Sequence, residues 1–205
     1  MKQIKLFMVM LLSLVGMTAT AQQPTLISST AKPVTSSTLT TGKYLIAAGT
    51  SEGSYYFNVN AAKVKSPSTD QVFTCTKSGN KYYLHRNTNE YVYVNKSRYW
   101  FYYTYSLTTN SSSQSMTIAF NSNSAASIYA NDRYIISNDN DADAAGLSET
   151  QSYNWYFYKA AVVNITYRDV TNSKNIGTYT YVGRVGDKLQ WPTISGYTLS
   201  SEATY

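Results

Sequence analysis

A single cysteine, a single histidine and four prolines are spread over 205 residues. With Cys75 alone, no disulfide can form within the chain, so stability must rest on the core. Cys75 lies two residues from Phe73 in Val72-Phe73-Thr74-Cys75-Thr76, so in a strand the two share a face and the thiol is expected to be buried and inert. A histidine-based triad would have to use His85, and the sequence has no G-x-S-x-G, no H-E-x-x-H and no Gly-rich phosphate loop leading into a helix. The chain is therefore expected not to be an enzyme and to need no cofactor or metal.

Charge is also sparse. There are 11 acidic against 17 basic residues, and the basic ones fall singly or in pairs such as Lys63 with Lys65 and Lys96 with Arg98. Nucleic-acid binding calls for a clustered basic stripe, so no nucleic-acid partner is expected. The acidic run Asn138-Asp139-Asn140-Asp141-Ala142-Asp143 spaces carboxylates like a calcium loop. An EF-hand loop begun at Asp139 would need Gly and Glu where Ala144 and Thr150 stand, so an exposed acidic loop is expected over 138–143.

Long apolar runs are missing too, apart from one near the start. Lys2 and Lys5 precede Leu6-Phe7-Met8-Val9-Met10-Leu11-Leu12, and Ala19-Thr20-Ala21 follows. This run is shorter than the about 20 apolar residues that span a bilayer, and its layout is that of a secretory signal peptide over 1–21, cleaved after Ala21. Cleavage lowers the formal charge from +6 to +4. The mature chain is expected to be exported to the cell surface, periplasm or medium, without membrane insertion. Residues 22–41 are rich in Ser, Thr and Pro and read as a linker.

What is abundant is aromatic and repeated. Short alternating runs rich in Tyr, Val, Ile and Thr, broken by Gly, Asn, Ser and Asp, predict an all-β domain over 42–160. One plan recurs three times in it. First strands are centred on Tyr44-Leu45-Ile46, Tyr83-Leu84-His85 and Ile128-Tyr129-Ala130; second strands on Tyr55-Tyr56-Phe57, Tyr91-Val92-Tyr93 and Tyr134-Ile135-Ile136; third strands carry Phe73, Met116 and Trp155. The period is about 40 residues, the signature of units that bury their faces only against one another.

Gln71-Val72-Phe73, Gln114-Ser115-Met116 and Tyr153-Asn154-Trp155 stand where the ricin-type lectin trefoil carries Gln-x-Trp, and the bulky last position is kept in all three. Residues 42–160 thus resemble that β-trefoil family, which implies that the three bulky residues meet in the core. In lectins of this kind an acidic and an aromatic residue of each repeat form a sugar pocket, and the hairpin turns here contain Glu52, Glu90 and Asp132. Turn acids also serve solubility and turn chemistry. The resemblance implies glycans or glycoproteins as partners, with Glu90, Tyr91, Tyr93, Asn95 and Trp100 of the second repeat as first candidates and Tyr102, Glu52 and Asp132 beside them. Tyr99-Trp100-Phe101-Tyr102-Tyr103-Thr104-Tyr105, if extended, is aromatic on both faces; one face can enter the core, leaving the other for a ligand or a neighbouring domain.

After Ala160 the pattern changes. Val163, Ile165, Tyr167 and Asp169, then Gly183 and Gly186, then Pro192, Gly196 and Tyr197 follow the V-x-V-x-Y-x-D, G-x-x-G and P-x-x-x-G-Y order of the mucin-binding-protein repeat. Residues 161–205 resemble this small β-grasp-like module of bacterial surface proteins, with a final strand missing before Tyr205. The expectation is an exported, non-catalytic glycan-binding and adhesion protein. The alternatives are an accessory region of a larger secreted glycosidase or peptidase with further domains, and a structural surface protein without sugar specificity.

Overall fold

The computed structural model describes residues 23–50, 54–138 and 143–198. Residues 1–22 (the segment expected to be a signal peptide among them), Glu52, most of the acidic run and residues 199–205 lie outside them. The chain is all-β: β1 (Thr25–Ser29), β2 (Gly42–Ala47), β3 (Val72–Ser78), β4 (Lys81–His85), β5 (Tyr91–Tyr99), β6 (Tyr102–Asn110), β7 (Thr117–Phe120), β8 (Ala126–Ala130), β9 (Arg133–Ser137), β10 (Ala145–Ser148), β11 (Tyr156–Asp169), β12 (Lys174–Arg184) and β13 (Asp187–Gln190). Among the described residues no helix is long and apolar enough to cross a membrane.

Two compact units divide the chain. The larger comprises Ser28–Val162 with Val182–Lys188 and so begins well before Gly42; the smaller, among the described residues, takes in Val163–Tyr181, residues 189–198 and residues 23–27. Strand β11 leaves the larger unit after Val162, and β12 re-enters it at Val182.

In the larger unit, antiparallel pairing runs from strand to strand and returns to its start. β2 pairs with β3 through Tyr44↔Phe73, and β3 with β4 through Cys75↔Leu84. Tyr82 bridges to Met116, β7 pairs with β8, Ala126 bridges to Trp155, and Tyr156–Lys159 of β11 lies back along β2. A sheet closed in this way has no free edge around the ring and encloses its inward side chains. Phe73, Met116 and Trp155 are fully buried there. The rings of Phe73 and Trp155 each lie 5.1 Å from that of Phe57, the second edge-on. Gln71, itself buried, accepts the main-chain N–H of Ser68 at 2.9 Å, closing the short 3₁₀ turn that delivers Phe73 into β3.

All three expected first strands and the second strands at Tyr91-Val92-Tyr93 and Tyr134-Ile135-Ile136 are present, but Tyr55-Tyr56-Phe57 forms no strand, only isolated bridges from Tyr56 to Ala47 and Val64. Further strands stand between the second and third: β6 in the middle repeat and β10 in the last. The bulky residues stand at the start of the third strands, Phe73 as the second residue of β3 and Met116 and Trp155 just ahead of β7 and β11. The expected linker over 22–41 is corrected. It contains β1, which pairs with β13, and it buries Val34 and Leu39, held by a turn in which Leu39 donates to the carbonyl of Thr35 at 2.9 Å.

Both faces of β2 are covered, as its uninterrupted Tyr-Leu-Ile-Ala run requires. Tyr44 and Ile46 face the ring interior, while Leu45 and Ala47 meet Tyr158 and Val182. Beside Tyr158 the guanidinium of Arg184 sits 5.0 Å over its ring, and Asp187 accepts the Arg184 N–H at 2.6 Å and the Ser29 hydroxyl at 2.5 Å. Burial pushes the Tyr56 and Tyr158 phenols above their ordinary value, with Arg184 opposing it. Gly186 has φ +106°, and a Cβ there would lie 2.9 Å from the Ala31 nitrogen, so this turn needs glycine.

The smaller unit has its own cluster, Ile165, Tyr167 and Tyr181 with Tyr179, Leu189 and Trp191 against them. Val163, which alternates in sequence with Ile165 and Tyr167, is exposed. Gly177 lies within β12 and Gly196, at φ +82°, lies in a turn.

Candidate functional site

The hairpin of β5 and β6 carries most of the candidate residues, and its sequence explains its course. Val92 and Val94 are buried and point to the core together with Leu107. The next two positions on that side are Lys96 and Arg98, so from there the strand pair leaves the core for solvent. Register is continuous from Tyr91↔Asn110 to Tyr99↔Tyr102. The aromatic run, which if extended would be aromatic on both faces, is instead folded back on itself, with Trp100 and Phe101 as the whole loop. Tyr99 and Tyr102 sit directly opposite each other, ring centroids 5.5 Å apart. Trp100 has φ +51°, a left-handed conformation that Asn or Gly takes in most tight hairpins and that costs a bulky residue about 1–2 kcal/mol.

Midway along the stem a column of cations and rings ties the hairpin to the turn between β8 and β9. The Lys96 ammonium lies 4.4 Å from the Tyr103 ring centre and bonds to Asp132, and the Arg133 guanidinium lies 3.7 Å from the Tyr105 ring centre and donates to Glu149 at 2.6 Å. The Lys96 hydrogen bond, reinforced by its charge, holds the Asp132 carboxyl below the usual value, and the same bond raises Lys96. Asn131 and Asp132 form the turn, both at positive φ as a two-residue hairpin loop requires.

The core end of the hairpin is held by side-chain amides. Gln114 accepts the Val94 N–H at 2.7 Å and donates to the Val94 carbonyl at 3.1 Å, and Asn131 Nδ2 donates to the same carbonyl at 2.9 Å. β4 reaches β5 only at His85↔Tyr91, so on the side away from β6 Gln114 takes the place of a strand partner for Val94.

Glu90 closes the turn before β5. Its carboxylate accepts from Asn87 Nδ2 at 2.6 Å and lies 3.9 Å from Arg86 Nε. The Tyr91 ring stacks on His85 at 4.8 Å. Tyr91, Tyr93 and Asn95 share the outward face of β5, opposite Asn110, Thr108 and Ser106 of β6. Trp100 lies beyond the far end of this nine-residue strand, roughly 30 Å from Glu90 at the usual rise per residue. The candidates thus divide in three: Glu90, Tyr91, Tyr93 and Asn95 along the base; Trp100 and Tyr102 at the tip; Asp132 at the stem. Glu52 lies outside the described residues.

Cys75 and His85 make no dyad. Cys75 faces Leu84 across the β3–β4 pair, which puts His85 on the alternate face, and burial pushes the Cys75 thiol up to about 12. Among the described residues no group of three His, Cys, Asp or Glu side chains could hold a metal ion. Lys96, Tyr103, Tyr105, Gln114 and Arg133 were not singled out from sequence as site residues. The available signal was parity: Lys96 and Arg98 continue the Val92–Val94 face, which marks where the hairpin leaves the core.

No protein-family model, no curated protein and no solved structure matches the chain.

Proposed function

We propose that the chain is an exported, non-catalytic carbohydrate-binding protein whose larger unit is a β-trefoil and whose smaller unit is a β-grasp-like adhesion module. The trefoil is supported by the closed order of strand pairing and by the burial of Phe73, Met116 and Trp155 at equivalent places. The adhesion module rests on the motif resemblance, and the Ile165–Tyr167 alternation fits it.

The sugar reading is carried by the outward face of the hairpin base. There Tyr91 and Tyr93 alternate with the core-facing valines and are flanked by Asn95, Thr108 and Asn110, with Glu90 at the end. Partly exposed rings give sugar C–H faces a stacking surface, and amides and hydroxyls beside them can bond the hydroxyls. A glycan array probed with the full chain tests it. Tyr93→Ala or Glu90→Ala is expected to weaken binding about tenfold, the loss of one good stacking or charged hydrogen-bond contact. Absence of binding to any glycan sinks the proposal.

A further inference from the structure

The tip of the β5–β6 hairpin presents consecutive large aromatics to solvent. Phe101 at the apex is 96% exposed and Trp100 74%, and Tyr99 and Tyr102 behind them are each 56% exposed. The chemistry is graded along the hairpin axis. A wholly apolar ring and an indole stand together at the apex, then the opposed tyrosines, then the Arg98↔Tyr103 pair, then Lys96. From Asn95 to Ser106 there is no carboxylate and there are two cations. Trp100 is held at the apex in a left-handed conformation, and strain of this kind persists where the surroundings or a function demand it.

We propose that this tip is a membrane-surface anchor that inserts into the interfacial zone of a bilayer bearing anionic headgroups. Indole and phenol rings favour the boundary between headgroups and acyl chains, and cations favour the headgroup level. From the apex to the level of the Arg98↔Tyr103 pair is two residues on either arm, about 7 Å of strand, which falls within the 5–10 Å that interfacial elements typically bury. The column of Lys96, Tyr103, Tyr105 and Arg133 stiffens the stem below that level, so the tip is presented at the end of a braced arm. A sugar-binding surface needs hydrogen-bonding amides or carboxylates beside its rings, and the apex has none. Interfacial insertion of a hairpin loop does not require a spanning segment.

The experiment is sedimentation of the full chain with vesicles of phosphatidylcholine alone or mixed with about one-third phosphatidylglycerol, read together with tryptophan emission. The expected result is binding to the mixed vesicles with a blue shift, weakened by salt. Trp100→Phe should keep the binding and lose most of the shift. The double variant Trp100→Asp, Phe101→Asp should bind at least about tenfold less. Arg98→Gln should bind about fivefold less. Because these side chains are exposed and Asp tolerates the left-handed conformation at position 100 better than Trp, the thermal midpoint should not fall, which separates loss of binding from loss of fold. Failure to sediment with the mixed vesicles, or equal sedimentation of the double variant, overturns the proposal. So does a double variant that loses glycan binding while no vesicle is bound, which would assign the tip to a sugar. Tyr93→Ala should leave vesicle binding intact, so the carbohydrate and membrane proposals can fail independently.

Discussion

The indole Nε1 of Trp155 donates to the main-chain carbonyl of Ile135 at 2.8 Å, and both residues are fully buried. This bond fastens β9 to the residue that opens the last strand of the ring, while the indole packs edge-on against Phe57. Trp155→Phe keeps an aromatic ring but leaves the Ile135 carbonyl without its donor and opens a void. The expected loss is about 2–4 kcal/mol in urea unfolding. A loss below about 1 kcal/mol would mean that the centre repacks freely.

The Lys96–Asp132 pair should make an acid- and alkali-sensitive contribution with a flat middle. Asp132 is held below its ordinary 3.8, so its contribution is present above that value and is lost as pH falls through the lower folded value. Lys96 is raised above its ordinary 10.5, so its contribution is present below that value and is lost as pH rises through the folded one. The difference in thermal midpoint between wild type and Asp132→Asn should therefore stay constant through neutral pH and shrink only in strong acid and strong alkali. A difference that titrates near neutrality would contradict this pairing.

Cys75 should be unreactive while the protein is folded. Burial pushes its thiol up to about 12, with Lys77 opposing only weakly, so almost none is thiolate at about pH 8. Labelling by an aromatic disulfide reagent should follow unfolding and rise steeply with urea. Full labelling within seconds in native buffer would show the thiol to be open.

Most of the β-strands were legible because short runs of Tyr, Val, Leu and Ile such as Tyr44-Leu45-Ile46 are bounded by polar turn residues, and the buried Phe73, Met116 and Trp155 because each is the bulky residue at a recurring place. Strand β6 was not. Its reversal occurs at Trp100 and Phe101, with no Gly, Asn or Pro to mark it, so the aromatic run looks like one strand. Leu39 was hidden for another reason: a single apolar residue among Ser and Thr makes no period, yet hydroxyl-rich turns can still deliver it to the core, as Thr35 and Thr38 do. Closeness in sequence also misled at the candidate site. Along a strand, ten positions are a large distance, and Glu90 and Trp100 are drawn apart by the same pattern that places Tyr91 and Tyr93 together.

Gln114 has a further consequence. By returning a donor and an acceptor to one residue, Val94, it acts as an index pin for the whole hairpin. A strand ladder resists slippage through many equivalent bonds, each of which can re-form one step along. A pin engages at a single setting. A slip of one residue would turn Val92 and Val94 outward and offer Gln114 a peptide facing the wrong way. The reach of the arm from the core, and with it the height at which Trp100 and Phe101 stand, is thus metered by one side chain that touches neither of them.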